Sequence, residues 1–403
     1  MKITKIAEDI YQLKVNMEGI LFEGLWEMPN GVSLNSYIVK GEKTALIDGV
    51  CGWDGVPESL IEMLNEMEIA PKSIEYLIIN HTEPDHSGWI EDLKKVNSTF
   101  KIVCSKKAKE LLAAFYGHTE DIICIEDVDS LDLGKGHVLS FTSTPNVHWP
   151  DTMVTMDNKT GVLFTCDMYG SFGITEGKTF DDELSEEEHL EYENETIRYY
   201  SNIMGAFSPQ VEKAVKKSIE LSPKIIAPAH GLVWRSPEII LKAYGEYAEC
   251  QKGLARNEIT LIWGSMYGMT EKAVRYVEEL LEKKDIKVHV HRVPEDSWGT
   301  ILTSAWTSKG IILAMPTYEF KMFPPMAAAL EELGKKKVFN RKSFRFGSYG
   351  WSGGAQRELD DIMTKLKMNW EFLDPVEFLG SPREKDLELI GQRIEEFVEQ
   401  IKR

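Results

Sequence analysis

The sequence predicts an α/β protein of two domains. An αββα sandwich of two stacked sheets is expected over residues 1–250, and a doubly wound parallel sheet over residues 254–403. Three observations carry this reading. At 403 residues the chain is longer than one compact core usually organises. Up to about residue 250, short β-branched runs are separated by turns and a few helical stretches. After the polar, linker-like stretch 248–257, strands and amphipathic helices alternate strictly, as parallel strands with helical crossovers require.

In the first part, strands are expected at 10–15, 33–39, 43–48, 76–80, 101–105, 136–144, 152–157 and 162–167. Helical spacing covers 57–66, 106–115, 186–204 and 209–222. Strands with helices outside them suggest two sheets packed face to face. In the second part, strands at 258–264, 288–293, 310–317, 343–349 and 370–379 alternate with helices at 270–283, 299–307, 324–335, 354–367 and 385–403. Five such units make a doubly wound sheet.

A hydrophobic content of 43% supports well-buried cores, and a net charge of −19 argues against nucleic acid as a partner. The acidic stretch 181–195 reads as a solvated loop and helix face. No apolar run approaches the length of about 18 residues that a membrane span needs. The start, Met-Lys-Ile-Thr-Lys-Ile-Ala-Glu-Asp, has no apolar signal core. Cys51, Cys104, Cys124, Cys166 and Cys250 form no CxxC pair and read as reduced thiols. A cytoplasmic protein, with no membrane partner, is expected.

The densest chemistry follows the strand at 76–80: His81-Thr82-Glu83-Pro84-Asp85-His86. Three further candidate ligands, His148, Asp167 and His230, also lie beside strand ends, where sites are built. In an extended turn residues two apart point the same way, so His81 and Glu83 can grip one ion. Asp85 and His86, beyond Pro84, can reach a second. Seven ligands exceed one tetrahedral ion, so two metals are implied, with one carboxylate free to bridge. A thiolate-free, carboxylate-rich set suits iron or manganese, and on donor atoms alone zinc stays open. His118, His137, His189, His289 and His291 read as ordinary structural histidines.

In the second part, the strand at 259–263 runs into Gly264-Ser265-Met266-Tyr267-Gly268-Met269-Thr270 and then a helix. Hydroxyls and free amides at a helix N-terminus form a phosphate cradle. The loop has no lysine for a Walker A motif and lacks the dinucleotide glycine spacing. Two more loops follow strands: Met315-Pro316-Thr317-Tyr318 and Gly347-Ser348-Tyr349-Gly350-Trp351-Ser352-Gly353. Their aromatics can flank a flat ring, while the glycines let backbone amides approach its polar edge. Gly350-Trp351-Ser352-Gly353-Gly354 also matches the GxSxG nucleophile elbow, but that hydrolase order needs a later histidine, and none occurs beyond His291.

His81-Thr82-Glu83-Pro84-Asp85-His86 resembles the metallo-β-lactamase motif HxHxDH with Glu83 at the second histidine. With His148-Trp149-Pro150-Asp151-Thr152, Asp167 and His230-Gly231, it resembles the flavodiiron proteins, or A-type flavoproteins. The loop from Ser265 to Thr270 resembles the flavodoxin phosphate loop, with Tyr267 at its middle threonine. The resemblance covers essentially the whole chain. It implies a metallo-β-lactamase-like diiron domain followed by a flavodoxin-like FMN domain. One iron would be held by His81, Glu83 and His148, the other by Asp85, His86 and His230, with Asp167 bridging. Tyr199 or Tyr200 would stand near the irons.

The implied activity is reduction of O2 to water, NO to N2O, or both, with electrons passed through FMN. Two ferrous ions and a two-electron flavin hold the four electrons that O2 reduction to two waters needs. The donor would be a separate small protein such as rubredoxin, with reduced deazaflavin as another source. The assembly would be a head-to-tail homodimer, or a homotetramer built from such dimers, that sets one chain's FMN beside the other chain's irons. Two rival readings are a dizinc hydrolase with an appended flavodoxin-like domain, and an electron carrier fused to an inactive lactamase domain. Glu83, the complete ligand set and the flavin loops oppose both.

Overall fold

The computed structural model describes residues 1–49, 59–118, 120–127 and 129–403; Cys51 and the expected helix start at Pro57 lie outside them. The chain divides into two compact units. One comprises Met1–Tyr200 and Pro209–Gly245, the other Ser201–Ser208 and Glu246–Arg403.

The first unit is a two-sheet sandwich. One sheet has seven strands in sequence order: β1 (Lys2–Ala7), β2 (Ile10–Met17), β3 (Val32–Lys40), β4 (Thr44–Ile47), β5 (Ile74–Ile79), β6 (Lys101–Ser105) and β7 (Ile122–Ile125). Its first four strands pair antiparallel, and β4 through β7 pair parallel. The second sheet orders β8 (Ser130–Gly134), β9 (His137–Ser143), β10 (Met153–Asp157), β11 (Val162–Phe164) and β12 (Ile225–Ala227). Only its last pair, β11 with β12, is parallel. Ile10, Val39, Ile78, Val103, Leu139, Phe141 and Phe164 belong to one buried core, drawn from both sheets. The antiparallel β10 begins where β11 ends, so the loop before β10 emerges beside the loops after β11 and β12. The amide of Met153 donates to the carbonyl of Asn80 (3.0 Å), which fastens this edge to the end of β5.

Several expected elements differ. β1, β7 and β8, and the helices Trp89–Val96 and Pro237–Cys250, are additional. Their periodicity is short or diluted by charge, and packing decides them. The strand expected over 162–167 ends at Phe164. Cys166 has φ +43°, and the Thr165 hydroxyl donates to the carbonyl of Met168 (2.7 Å), so the chain turns before Asp167. The helix expected over 186–204 ends at Tyr199 and continues as one wide turn, Tyr200–Met204.

The second unit is a parallel sheet ordered β14 (Lys287–Arg292), β13 (Arg256–Trp263), β15 (Ser308–Ala314), β16 (Lys342–Tyr349) and β17 (Glu371–Phe372), with β18 (Val376–Leu379) also on β16. Every pairing in it is parallel. The strand expected over 370–379 is therefore two pieces, because Pro375 lacks the N–H a ladder needs. Four helices make the crossovers, Met269–Leu281, Trp298–Thr307, Pro324–Lys335 and Ala355–Leu366, and a fifth, Glu384–Lys402, follows the last strand and packs on the sheet. Their apolar faces meet the sheet, as with Val274, Val277, Phe397 and Ile401 against Leu261, Ile312 and Phe344. The expected linker shrinks to 251–255, since one helix runs to Cys250 and β13 starts at Arg256.

Candidate functional site

The seven candidate ligands of the first unit converge at one sheet edge. Asn80 leads out of β5, and the short helix Pro84–Ser87 turns Asp85 and His86 back over it. His148 comes from the loop before β10, Asp167 from the turn after β11, and His230 from the loop after β12. All are buried but Glu83, whose side chain is 16% exposed.

Asp167 divides the set. Its Oδ1 lies 3.0 Å from Nε2 of His86 and 3.1 Å from Nε2 of His230, which also approaches Asp85 Oδ2 at 3.3 Å. Its Oδ2 lies 3.5 Å from Nε2 of His81 and 3.6 Å from Nε2 of His148. Both of those nitrogens stand 3.2 Å from Glu83 Oε2. Two groups follow, His81–Glu83–His148 and Asp85–His86–His230, each able to place one donor atom per residue around an ion and each including Asp167.

The electrostatics of the cluster favour cations. Burial works against charge on both partners, yet mutual contact wins. Burial would raise Asp167, but the charge of His86 and the hydrogen bonds from His230 and His86 hold its carboxyl well below the usual range. Glu83, against the same opposition from burial, is held down to about 2 by His148 and His81. Burial would lower His86, but the charges of Asp167 and Asp85 carry it up to about 10. A divalent ion can replace the protons these imidazoles hold.

A surrounding shell orients the donors. His81 Nδ1 faces Asp151 Oδ2 (3.4 Å), which also accepts from the backbone amide and hydroxyl of Thr82 (2.8 and 2.7 Å). This contact turns Nε2 of His81 into the site. Asp48 accepts from the backbone amide of Asn80 (2.8 Å), and Thr155 donates to Asn80 Oδ1 (2.6 Å). Asn35 donates to the carbonyls of Pro228 and Gly231 (3.0 and 2.8 Å), fixing the loop that carries His230. Of the two candidate tyrosines, Tyr199 donates to Asp167 Oδ1 at 2.9 Å. The Tyr200 ring instead packs edge-on against Tyr244. Asp48, Asn35 and Asn80 carry no sequence signal of a role, because the partners of each are distant in sequence. Asp151 lies inside the motif at 148–152, but its role in orienting His81 appears only in the fold.

In the second unit, the loops after β13, β15 and β16 share one edge, since those strands are parallel. Gly268 has φ +82° just before the helix Met269–Leu281, and its amide donates to Ser265 Oγ (3.0 Å). The hydroxyls of Thr270 and Ser348 meet at 2.9 Å, tying the first loop to the third. Tyr267 and Trp351 are 86% and 79% exposed, an unusual exposure for large rings. Phe320, which the sequence reading did not single out, packs edge-on against Trp351 at 6.3 Å between centroids. Gly354 has φ +155°, and a Cβ there would stand 1.9 Å from the carbonyl oxygen of Phe320.

A lactamase-type sandwich with a binuclear donor set, together with a flavodoxin-order sheet, defines a class of two-part flavin- and metal-dependent oxidoreductases. Comparison with known proteins agrees. Residues 32–231 match the model for the ODP family beta lactamase. The anaerobic nitric oxide reductase flavorubredoxin of Aliivibrio fischeri is 35% identical over 347 residues, 85% of this chain and 67% of that protein. The same-named protein of Vibrio vulnificus is 34% identical, over 85% of this chain and 68% of its own. The chain thus spans about two thirds of the length of these relatives. Rubredoxin oxygen:oxidoreductase from Desulfovibrio gigas superimposes with a TM-score of 0.90 at 26% identity, over 100% of this chain and 99% of that one. A variant of the flavo di-iron protein from Thermotoga maritima gives 0.88 at 29%, over 99% of each chain. The chain belongs to the flavodiiron protein family and is an oxidoreductase.

The residues present fit the groups this family implies. Asp85 Oδ1 and Asp167 Oδ2 are buried and accept no hydrogen bond among the described residues, as expected of atoms reserved for metal. The donors are nitrogen and oxygen only, which suits iron; the nearby Cys166 thiol is directed to the carbonyl of Met153 (3.8 Å) and is not among the converging donors. The helix N-terminus with Ser265 and Thr270 suits a terminal phosphate, and the exposed rings suit a flat isoalloxazine.

Proposed function

We propose that the protein reduces O2 to water, NO to N2O, or both, at a pair of iron ions, with electrons delivered through FMN from a separate small redox protein of the rubredoxin type. One observation carries this: the two oxygens of Asp167 are shared between two complete donor groups, three other residues in each. His81, Glu83 and His148 would hold one ion and Asp85, His86 and His230 the other, with Asp167 between them. When bound, the irons and the flavin supply the electrons that reduction consumes.

The protein's own groups prepare the site. Asp151 holds His81 with Nε2 inward. Tyr199 keeps its proton, since burial first and the Asp167 charge second raise its phenol well above the ordinary range, so it remains a donor to Asp167. Phe22 lies edge-on to His230 (5.2 Å) and Trp149 edge-on to His81 (5.0 Å), so apolar rings shield these ligands from water. Glu83, the one partly exposed ligand, marks the side by which a small diatomic reaches the centre.

In the flavin unit, Ser265, Met266, Tyr267, Gly268, Met269 and Thr270 would receive the phosphate. Pro316, Thr317 and Tyr318, with Ser348, Tyr349, Gly350, Trp351, Ser352 and Gly353, would receive the ring. The assembly proposed is a head-to-tail homodimer, or a dimer of such dimers, in the cytoplasm; no helix among the described residues is long and apolar enough to cross a membrane. The test is anaerobic stopped-flow of the reduced protein against O2 and NO separately, beside a metal and flavin assay. Consumption of either gas by protein containing iron and FMN is expected. Bound zinc, no flavin and inertness to both gases would place the site with the hydrolases.

A further inference from the structure

Arg345 stands in the middle of β16 with none of its surface exposed. Its neighbours Phe344 and Phe346 point into the apolar core, so Arg345 shares the opposite face with Ser343 and Gly347. Gly347 is paired in register with Glu377 of β18, two residues nearer the edge where the loops emerge. The guanidinium reaches along that face, and its Nη1 lies 2.7 Å from Glu377 Oε1. That contact is an ion pair without good hydrogen-bond geometry, and Nε and Nη2 likewise meet no acceptor among the described residues. Glu377 in turn lies beneath the loop after β16: its two carboxylate oxygens are 3.6 and 3.7 Å from where a Cβ on Gly353 would stand, so a side chain there would rest on the carboxylate. A charged pair therefore runs from within the sheet to the underside of the loop at 349–353.

We propose that Arg345 and Glu377 are a positioning pair for the flavin, bracing the loop at 349–353 and setting the electrostatic field felt by reduced FMN. This rests on the flavin reading above. A guanidinium buried against a carboxylate that is itself part-exposed, with donors left over, adds little stability over an apolar side chain of the same volume, so stability alone does not account for it. Its position beneath a cofactor loop does. Two-electron-reduced flavin carries negative charge at neutral pH, and the intact pair is neutral overall. Removing the carboxylate leaves the buried guanidinium uncompensated where screening is poor, and removing the guanidinium leaves the part-exposed carboxylate uncompensated, a smaller effect of opposite sign.

The experiment is spectroelectrochemistry of bound FMN in the full-length protein, with FMN affinity by fluorescence quenching and thermal unfolding of the flavin-free chain as companions. Glu377→Gln leaves the guanidinium alone and should raise the midpoint potential of bound FMN. Arg345→Met leaves the carboxylate alone and should lower it. The double variant should return towards wild type, with its two single shifts opposed. A merely structural pair would weaken FMN binding in both variants and shift neither potential, or shift both the same way; either result overturns the proposal. If Arg345→Met does not fold, the partly exposed Glu377→Gln still decides, because an unchanged or lowered potential there is enough to reject it. A wild-type protein that takes up no FMN would overturn the flavin reading itself.

Discussion

The Tyr199 hydroxyl and the Asp167 carboxylate meet at 2.9 Å, on the oxygen that also faces His86 and His230. Tyr199 is the last residue of the helix Glu186–Tyr199, and Asp167 follows β11 in a turn. Phe22 and Phe172 pack on the tyrosine ring and fix its approach. Tyr199→Phe removes one hydrogen bond to a buried carboxylate, a loss of about 2 kcal/mol. We expect the variant to keep both metal ions by elemental analysis, to unfold at lower denaturant, and to turn over more slowly. Wild-type stability in that variant would show that the contact contributes nothing.

Asp167 serves both donor groups, each oxygen facing two imidazoles. Asp167→Ala should therefore lower metal content from two per chain to one or none. A ligand belonging to one group, tested as His148→Ala, should spare the other ion. An Asp167→Ala protein with two irons and normal turnover would remove the bridging role.

The proposed phosphate loop depends on Gly268. Its φ of +82° costs a side chain about 1 kcal/mol, and a carboxylate there would repel the phosphate. Gly268→Asp should abolish FMN retention while leaving circular dichroism and metal content unchanged. Heat-released flavin from the wild type should be FMN, about one per chain, because the proposed site among the described residues has one phosphate loop and no second nucleotide-binding unit; FAD would contradict that reading.

Asp48 supplies a pH signature. Burial is the largest influence on it and raises its carboxyl to about 6, against the pull of His86 and of the hydrogen bonds from Asn80. A carboxyl harder to ionise in the fold than in the unfolded chain contributes stability that is full below its unfolded value of 3.8 and lost as pH rises through about 6. Asp48→Asn stays neutral throughout. In denaturation of the metal-free protein, the variant should gain on wild type by about 3 kcal/mol between pH 4 and pH 7. Parallel pH profiles would mean that Asp48 titrates normally.

The proposed assembly predicts complementation. An iron-site variant (His81→Ala with His148→Ala) and the Gly268→Asp flavin variant should each be inactive. Mixed and allowed to exchange subunits, they should regain activity in heterodimers that pair one chain's intact flavin with the other chain's intact irons. Heterodimers verified by mass, yet without activity, would show that electrons do not cross the dimer interface in this way.

By itself the sequence determined the two-part α/β order and singled out the seven candidate ligands that converge in the fold. Strand and helix periodicity is local, and metal chemistry needs particular side chains beside strand ends, which the chain displays in order. Only tertiary structure decided the rest. β1, β7 and β8 exist through sheet pairing rather than their own pattern, and Pro375 divides a strand that otherwise reads as continuous. Tyr199 and Tyr200 are adjacent in sequence and equivalent in chemistry; the helix ending at Tyr199 turns one towards Asp167 and the other towards Tyr244. The supports from Asn35 and Asp48, and the reach of Arg345 to Glu377, are contacts between residues far apart in the chain. Such contacts leave no local pattern, because the energy that selects them is available only once the sheets have formed.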